Sequence, residues 1–198
     1  MKQRFVIALF LTCCCALLTA RAQQLSTQDG IEIDLQGAKV RIPDLVLRDQ
    51  DGRRVRLYSD LIKDKVVVLS FFYTSCTYTC TMQGKVFSEL QSLLGERLGK
   101  SVFLISVTID PVRDNPQRLK AWAERYKIKP GWTLVTGNEA EMSKFLVQFT
   151  GTKTGGMHLP SVFIANERKG LWTSAVGLFT PEHLLKVVNS LTPPEEQL

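Results

Sequence analysis

The sequence predicts an α/β domain, with a central sheet covered by helices on both faces. Two observations carry this expectation. Residues 66–73 and 102–109 are continuous β-branched and aromatic runs, as expected of strands buried on both faces. Strand and helix signals then alternate along the chain, which implies parallel neighbours joined by helical crossovers. A chain of 198 residues, with 44% hydrophobic and 22% charged residues, has the composition of one ordinary globular domain able to bury a core.

The elements follow in order. Two short apolar runs between residues 41 and 57 flank Asp51-Gly52, a hairpin signal ahead of the first buried strand. After that strand, Met82, Val86, Phe87, Leu90, Leu93 and Leu94 recur at helical spacing, with Gly99 as the stop. Asp114 or Asn115 can cap the next helix, with Pro116 at its first position. Residues 132–135 read as a short strand and 139–149 as a helix, followed by a glycine-rich loop at 151–157. Residues 161–165 and 171–176 read as two strands joined by a turn. Thr180 and Pro181 open a last helix that ends near Leu191. A terminal strand-strand-helix unit with an antiparallel pair makes the sheet mixed. It matches the thioredoxin-like arrangement, here with an N-terminal β-hairpin extension.

The ends differ in character from this domain. Lys2 and Arg4 precede an uncharged stretch from Phe5 to Ala20, and Ala20-Arg21-Ala22 offers small residues at a cleavage site. This is an export-signal pattern over residues 1–22. The apolar stretch is short for a membrane span of about 20 residues, although an uncleaved anchor is the alternative. Phe10-Leu11-Thr12 fits poorly before a lipidated cysteine, so Cys13, Cys14 and Cys15 read as apolar filler. Loss of residues 1–22 removes Lys2, Arg4 and Arg21 and takes the net charge from +6 to +3. No basic cluster interleaved with aromatics indicates nucleic-acid binding. Residues 23–40 read as a flexible tether, 41–191 as the folded domain and 192–198 as a disordered tail.

Cys76 and Cys80 are the cysteines left after export, and they directly follow the first buried strand. In open α/β sheets chemistry sits beyond the carboxyl ends of strands. If Cys76 opens the helix, residues i and i+4 share a face, with Cβ atoms about 5–6 Å apart. Local unwinding could then close a disulfide. Otherwise both sulfurs face one spot that can hold one ion. The helix start lowers the Cys76 pKa, and its thiolate is both nucleophile and metal ligand. Thiolates are soft donors for Cu(I), zinc or iron–sulfur clusters, but two are too few for a cluster or closed zinc site. His158, in a loop before the strand at Ser161, would complete a Cys2His set in a thioredoxin-like fold, where Pro160 takes the cis-proline position. In that fold the strand at Ser161 is expected as a parallel neighbour of the strand leading to the cysteines. His183 reads as a surface residue, Met157 as filler, Phe71-Phe72-Tyr73 as core, and Asp110 as a turn residue or a tuner of the thiols. An inert bridge or two reduced core thiols is the bland alternative for the pair itself.

Several stretches resemble the Sco (SenC/PrrC) family of copper-handling proteins. Thr74-Ser-Cys-Thr-Tyr-Thr-Cys80 is similar to its Thr-x-Cys-x-x-x-Cys loop. Ser106-Val-Thr-Ile-Asp-Pro-Val-Arg-Asp-Asn-Pro116 and Gly131-Trp-Thr-Leu-Val-Thr-Gly137 are similar to its later stretches, as is the entry Ile42-Pro-Asp-Leu-Val-Leu-Arg-Asp-Gln-Asp-Gly52. The resemblance implies a copper ion held by Cys76, Cys80 and His158. It also implies metallation of a respiratory oxidase copper centre, or reduction of that centre's cysteines. The partner would be a copper-containing oxidase subunit or another copper or thiol–disulfide carrier, reached in the periplasm or from a membrane anchor facing it. Thr77 and Thr81 replace the family's prolines after each cysteine, and Met157-His158-Leu159 replaces Asp-His-Ser. The proline-free cysteine loop and the added Pro160 lean toward a thiol–disulfide oxidoreductase using the redox pair Cys76 and Cys80 without metal. A peroxidase reading is disfavoured, because Thr74 stands two residues before Cys76 rather than the three of peroxiredoxins.

Overall fold

The computed structural model describes residues 30–35, 38–150 and 160–192. The expected signal at 1–22, the stretch 151–157, Met157, His158 and residues 193–198 lie outside the described residues. Nine strands and four helices of eight or more residues are found among the described ones. No helix among them is long and apolar enough to cross a membrane.

The main sheet has seven strands in the order β4-β3-β7-β6-β5-β8-β9. β5 (Val66–Phe72) lies inside it, next to the middle strand, and every one of its residues is buried. Continuous burial on both faces explains the unbroken apolar run. β6 (Val102–Thr108) lies parallel to β5, and β7 (Trp132–Thr136) parallel to β6. β8 (Ser161–Asn166) is the other neighbour of β5, but it runs antiparallel, not parallel as expected. No helical crossover joins β8 to β9 (Leu171–Val176). A short 3-10 turn returns the chain as an antiparallel hairpin. β3 (Val46–Asp49) pairs antiparallel with β4 (Arg54–Arg56) and with β7, so the expected hairpin forms the far edge. Gly52, with φ of +79°, supplies the turn conformation that L side chains rarely adopt.

The segment expected as a tether contains one strand and the start of a second. β1 (Gly30–Leu35) and β2 (Ala38–Pro43) pair antiparallel, with Ile33 opposite Val40. Ile33, Val40 and Ile42 are buried together with Leu57 and Ile62 of a π-helical turn (Leu57–Ile62). Sparse apolar residues in a polar segment carry little local signal, and their burial against a distant turn is a tertiary effect. Thr192 is also held, its hydroxyl donating to the Val188 carbonyl.

The side chains of β5 divide between two cores. Val67, Leu69 and Phe71 face α3 (Glu139–Thr150), where Phe71 lies 5.9–6.1 Å from Phe145, Phe149 and Phe163. Val66, Val68 and Phe72 share the second core with α1 (Thr79–Leu94), α2 (Pro116–Arg125) and α4 (Pro181–Leu191). Each fully buried apolar side chain of this size contributes about 1.5–3 kcal/mol. The polar residues within this apolar sheet pair with each other. Ser70 and Ser106 sit in register with hydroxyls 2.8 Å apart, and Trp132 Nε1 donates to Ser106 Oγ.

The capping signals hold with one choice resolved. Asn115 Oδ1 accepts from the Arg118 N–H at 3.0 Å, and Thr180 accepts from His183 N–H. Asp114 turns inward instead. Helix α1 differs at both ends from its sequence boundaries: it begins at Thr79 and ends at Leu94, where Gly95 takes φ of +53°.

Candidate functional site

β5 delivers the chain to the carboxyl edge of the sheet at Phe72, and residues 73–78 form a loop before α1. Cys76 lies in that loop, ahead of the helix, and is half-buried. Cys80 is the second residue of α1 and only 2% exposed. The two are therefore not an i, i+4 pair on one regular helix face. The loop folds the Cys76 sulfur back over the open amides of the first helical turn. Its Sγ accepts the Cys80 N–H at 3.3 Å and lies 3.4 Å from the Thr79 hydroxyl. Both cysteines are free thiols.

This arrangement separates the two thiols chemically. Burial disfavours the Cys76 thiolate. Hydrogen bonds from the Cys80 thiol, the Thr79 hydroxyl and the Cys80 and Tyr78 amides outweigh that, bringing its pKa from 9.0 to about 7. The amides are unsatisfied donors of a helix start, the place where an anion is favoured. Burial of Cys80, together with its bond to Cys76, pushes it up to about 12. One thiol is thus half-ionised near neutrality while its neighbour stays protonated. The expectation that the helix start lowers Cys76 agrees with this, but the effect comes through hydrogen bonds made from outside the helix.

Three residues that the sequence reading does not assign to the site hold the loop. Tyr73 packs partly against both cores, and its hydroxyl is hydrogen-bonded to Cys76. That bond, burial and the nearby negative charges raise its pKa. Thr79 touches the sulfur. Asp114, 1% exposed, accepts from the Thr74 N–H at 3.0 Å, from the Thr74 hydroxyl and from the Thr108 hydroxyl at 2.5 Å. It ties the loop at the end of β5 to the start of α2. Its signal was a carboxylate just ahead of an Asn-Pro helix start, which reads equally as a cap. Asp110 is buried, bonded by Arg113 at 3.0 Å, and its charge reaches Tyr73. It therefore acts on the thiols' neighbour rather than only shaping a turn.

The remaining candidates fall as follows. Pro160 precedes β8 beside the carboxyl end of β5, and its carbonyl accepts from Gly177 N–H at 2.8 Å. The peptide bond before it involves Leu159, outside the described residues, as is His158. His183 is exposed on α4 and stacked on Phe179 at 5.4 Å, as expected of a surface residue. Among the described residues no group of three or more His, Cys, Asp or Glu side chains converges as a metal site. The described donors are the two thiols.

A mixed sheet with a fully buried inner strand that leads into a Cys-x-x-x-Cys loop and helix defines a thioredoxin-like thiol protein. The SCO1/SenC family model matches residues 34–191, and the chain belongs to that family. The SCO1 protein homolog of Bacillus subtilis is 31% identical over 104 residues, 51% of this chain and 52% of its own length. The chain thus spans about half the length of that relative. Among solved structures, BsSco is 21% identical with a TM-score of 0.62, over 84% of this chain and 97% of its own. It is described as having a disulfide switch and as a member of the Sco family of cytochrome c oxidase assembly proteins. ScoI of Bradyrhizobium japonicum, solved with copper bound, is 23% identical with a TM-score of 0.58, over 74% of this chain and 96% of its own. Both structural likenesses concern the fold.

Proposed function

We propose that this chain is an exported copper chaperone that assists metallation, or thiol reduction, of a respiratory oxidase copper centre. The supporting observation is one accessible, acidic thiol beside a buried one at the carboxyl edge of the sheet. Two sulfur donors at one point suit a soft ion, so the residues fit copper as cargo. Cys76 and Cys80 hold the ion as thiolates, and neutral His158 adds the third donor. The strand entry at Pro160 and Ser161 lies at the thiol edge, only two residues after His158, which favours that assignment. Cys80 must give up its proton on loading, so uptake releases protons and strengthens with pH. A site of low coordination lets an incoming thiolate displace one ligand at a time. Export rests on the pattern of residues 1–22 and places the protein in the periplasm or on a membrane anchor facing it. The partner is a copper-containing oxidase subunit or another copper or thiol–disulfide carrier.

Titration of the reduced full chain with Cu(I), against a chromophoric chelator, tests the reading. One copper per chain is expected, abolished by Cys76→Ser and weakened by His158→Ala. Absence of uptake by the reduced protein overturns it.

A second reading, thiol–disulfide exchange, is favoured by the separation of the two thiol pKa values. Cys76 attacks a partner disulfide and Cys80 resolves the mixed disulfide. The Cys80→Ser variant should then accumulate a mixed disulfide at Cys76.

A further inference from the structure

Helix α2 carries two arginines beside the thiol loop that neither reading uses. Arg118 and Arg125 are seven residues apart, two helical turns, or roughly 10.5 Å along the axis. Together with Ala121 and the Trp122 indole they line a cavity of about 220 Å³. Its other wall is Thr74 and Ser75, the two residues immediately before Cys76. Both arginines are exposed, and among the described residues neither guanidinium has an ion-pair or hydrogen-bond partner. The neighbouring carboxylates do not neutralise them. Asp114 is spent on Thr74 and Thr108, and Asp110 is bridged by Arg113. Glu124 is a helical step of about 100° away from Arg125 and is not part of the cavity lining.

The floor of this cavity is rigid. Trp122 is 6% exposed and packs at 4.7 Å from Phe72 and 4.2 Å from Tyr126. Asp114 fixes the opposite wall through the Thr74 amide. A fixed apolar floor, two free guanidinium forks and a wall made by the two residues before Cys76 form a recognition site for negative charge on the loop that carries the nucleophilic sulfur. Guanidinium groups recognise carboxylates by paired N–H donors.

We propose that this cavity binds the carboxylates of a thiol or disulfide substrate and so aligns its sulfur with Cys76. The proposal rests on the thiol–disulfide reading and names its substrate class. In the step, the Cys76 thiolate attacks one sulfur of RS–SR, forming Cys76–S–SR and releasing RS⁻. Cys80 then attacks the Cys76 sulfur, forming the Cys76–Cys80 disulfide. The second RS⁻ departs and takes the Cys80 proton as RSH. Two electrons pass from the protein pair to the substrate disulfide.

The test measures oxidation rates of the reduced full chain by three disulfides. These are glutathione disulfide, neutral hydroxyethyl disulfide, and a peptide disulfide whose cysteine is flanked by aspartates. Wild type is compared with Arg118→Gln, Arg125→Gln, the double variant, and Lys144→Gln as a charge-loss control on α3. The anionic substrates should slow about threefold in either single variant and about tenfold in the double variant. Hydroxyethyl disulfide and the Lys144→Gln control should be unchanged. An arginine dependence seen with glutathione disulfide supports a small carboxylated thiol. Dependence seen only with the peptide supports an acidic polypeptide partner. Equal slowing of neutral and anionic substrates, or no slowing of either anionic one, overturns the proposal. Failure of wild type to react with hydroxyethyl disulfide overturns the exchange reading itself, a separate result from loss of charge selectivity.

Discussion

The acidity of Cys76 makes a quantitative prediction through Thr79. A thiol at 9.0 is about one part in a hundred ionised at pH 7, whereas one at about 7 is half ionised. The structure therefore gives Cys76 about 50-fold more thiolate at neutrality than an ordinary cysteine. Thr79→Val removes the hydroxyl 3.4 Å from the sulfur and keeps the side chain's shape. Thr79 provides no side-chain cap to α1, whose N-cap is Tyr78, so the helix should survive. A hydrogen bond of this kind is worth about 1 kcal/mol, which raises the midpoint by about 0.7 pH unit. At pH 7 the thiolate fraction falls about threefold.

The assay is the rate of iodoacetamide alkylation of the reduced protein between pH 5 and 9. Cys80, buried and pushed up to about 12, stays protonated throughout that range, so a single midpoint near 7 is expected. The sign follows from the lowered pKa: reactivity is full above the midpoint and is lost as pH falls through it. The Thr79→Val curve should keep its plateau and shift to higher pH. A wild-type midpoint near 9 would refute the account of the sulfur over the helix start. Superimposable curves for the two proteins would refute the part assigned to Thr79.

Two further changes test the scaffold. Gly84→Ala would place a Cβ 2.6 Å from the Tyr126 ring and 2.9 Å from the Trp122 ring. Overpacking at this contact between α1 and α2 should cost about 1–3 kcal/mol in urea unfolding. Asp114→Asn replaces an acceptor for three donors by a group that can serve fewer of them. It should lose about 1–3 kcal/mol by the same measurement, and the looser loop should broaden the Cys76 alkylation profile.

What was legible in the sequence was what local signals determine. The unbroken apolar run of β5, the Asn115-Pro116 and Thr180-Pro181 helix starts and the Asp51-Gly52 turn each carry their own physics, and each appears where expected. The placement of Cys76 and Cys80 at a strand's carboxyl end followed from the same signals. The rest depended on contacts between distant residues. β1 and β2 are held by a few apolar residues buried against a turn some twenty residues on. Tyr73 continues an aromatic run and reads as core, and only the path of the loop turns its hydroxyl to Cys76. Asp114 and Asn115 are equal candidates for a cap until β6 and the thiol loop meet behind Asp114. Periodicity could not separate loop from helix across residues 76–79, because no apolar repeat spans them.

The inequality of the two sulfurs also sets an order of events. Cys80 is held protonated by burial first, and then by its bond to Cys76 and the charge there. In either proposed reading, engagement of Cys76 by a copper ion or by a partner's sulfur would use the charge that opposes ionisation of Cys80. The buried thiol then loses its proton more readily, when a second sulfur is needed to complete the metal site or resolve the mixed disulfide. Under the two proposed readings, metal loading and disulfide exchange would share a first step at Cys76 and a second at Cys80. The same loop suits both proposals because its geometry makes one sulfur half-buried and acidic and the other buried and proton-retaining.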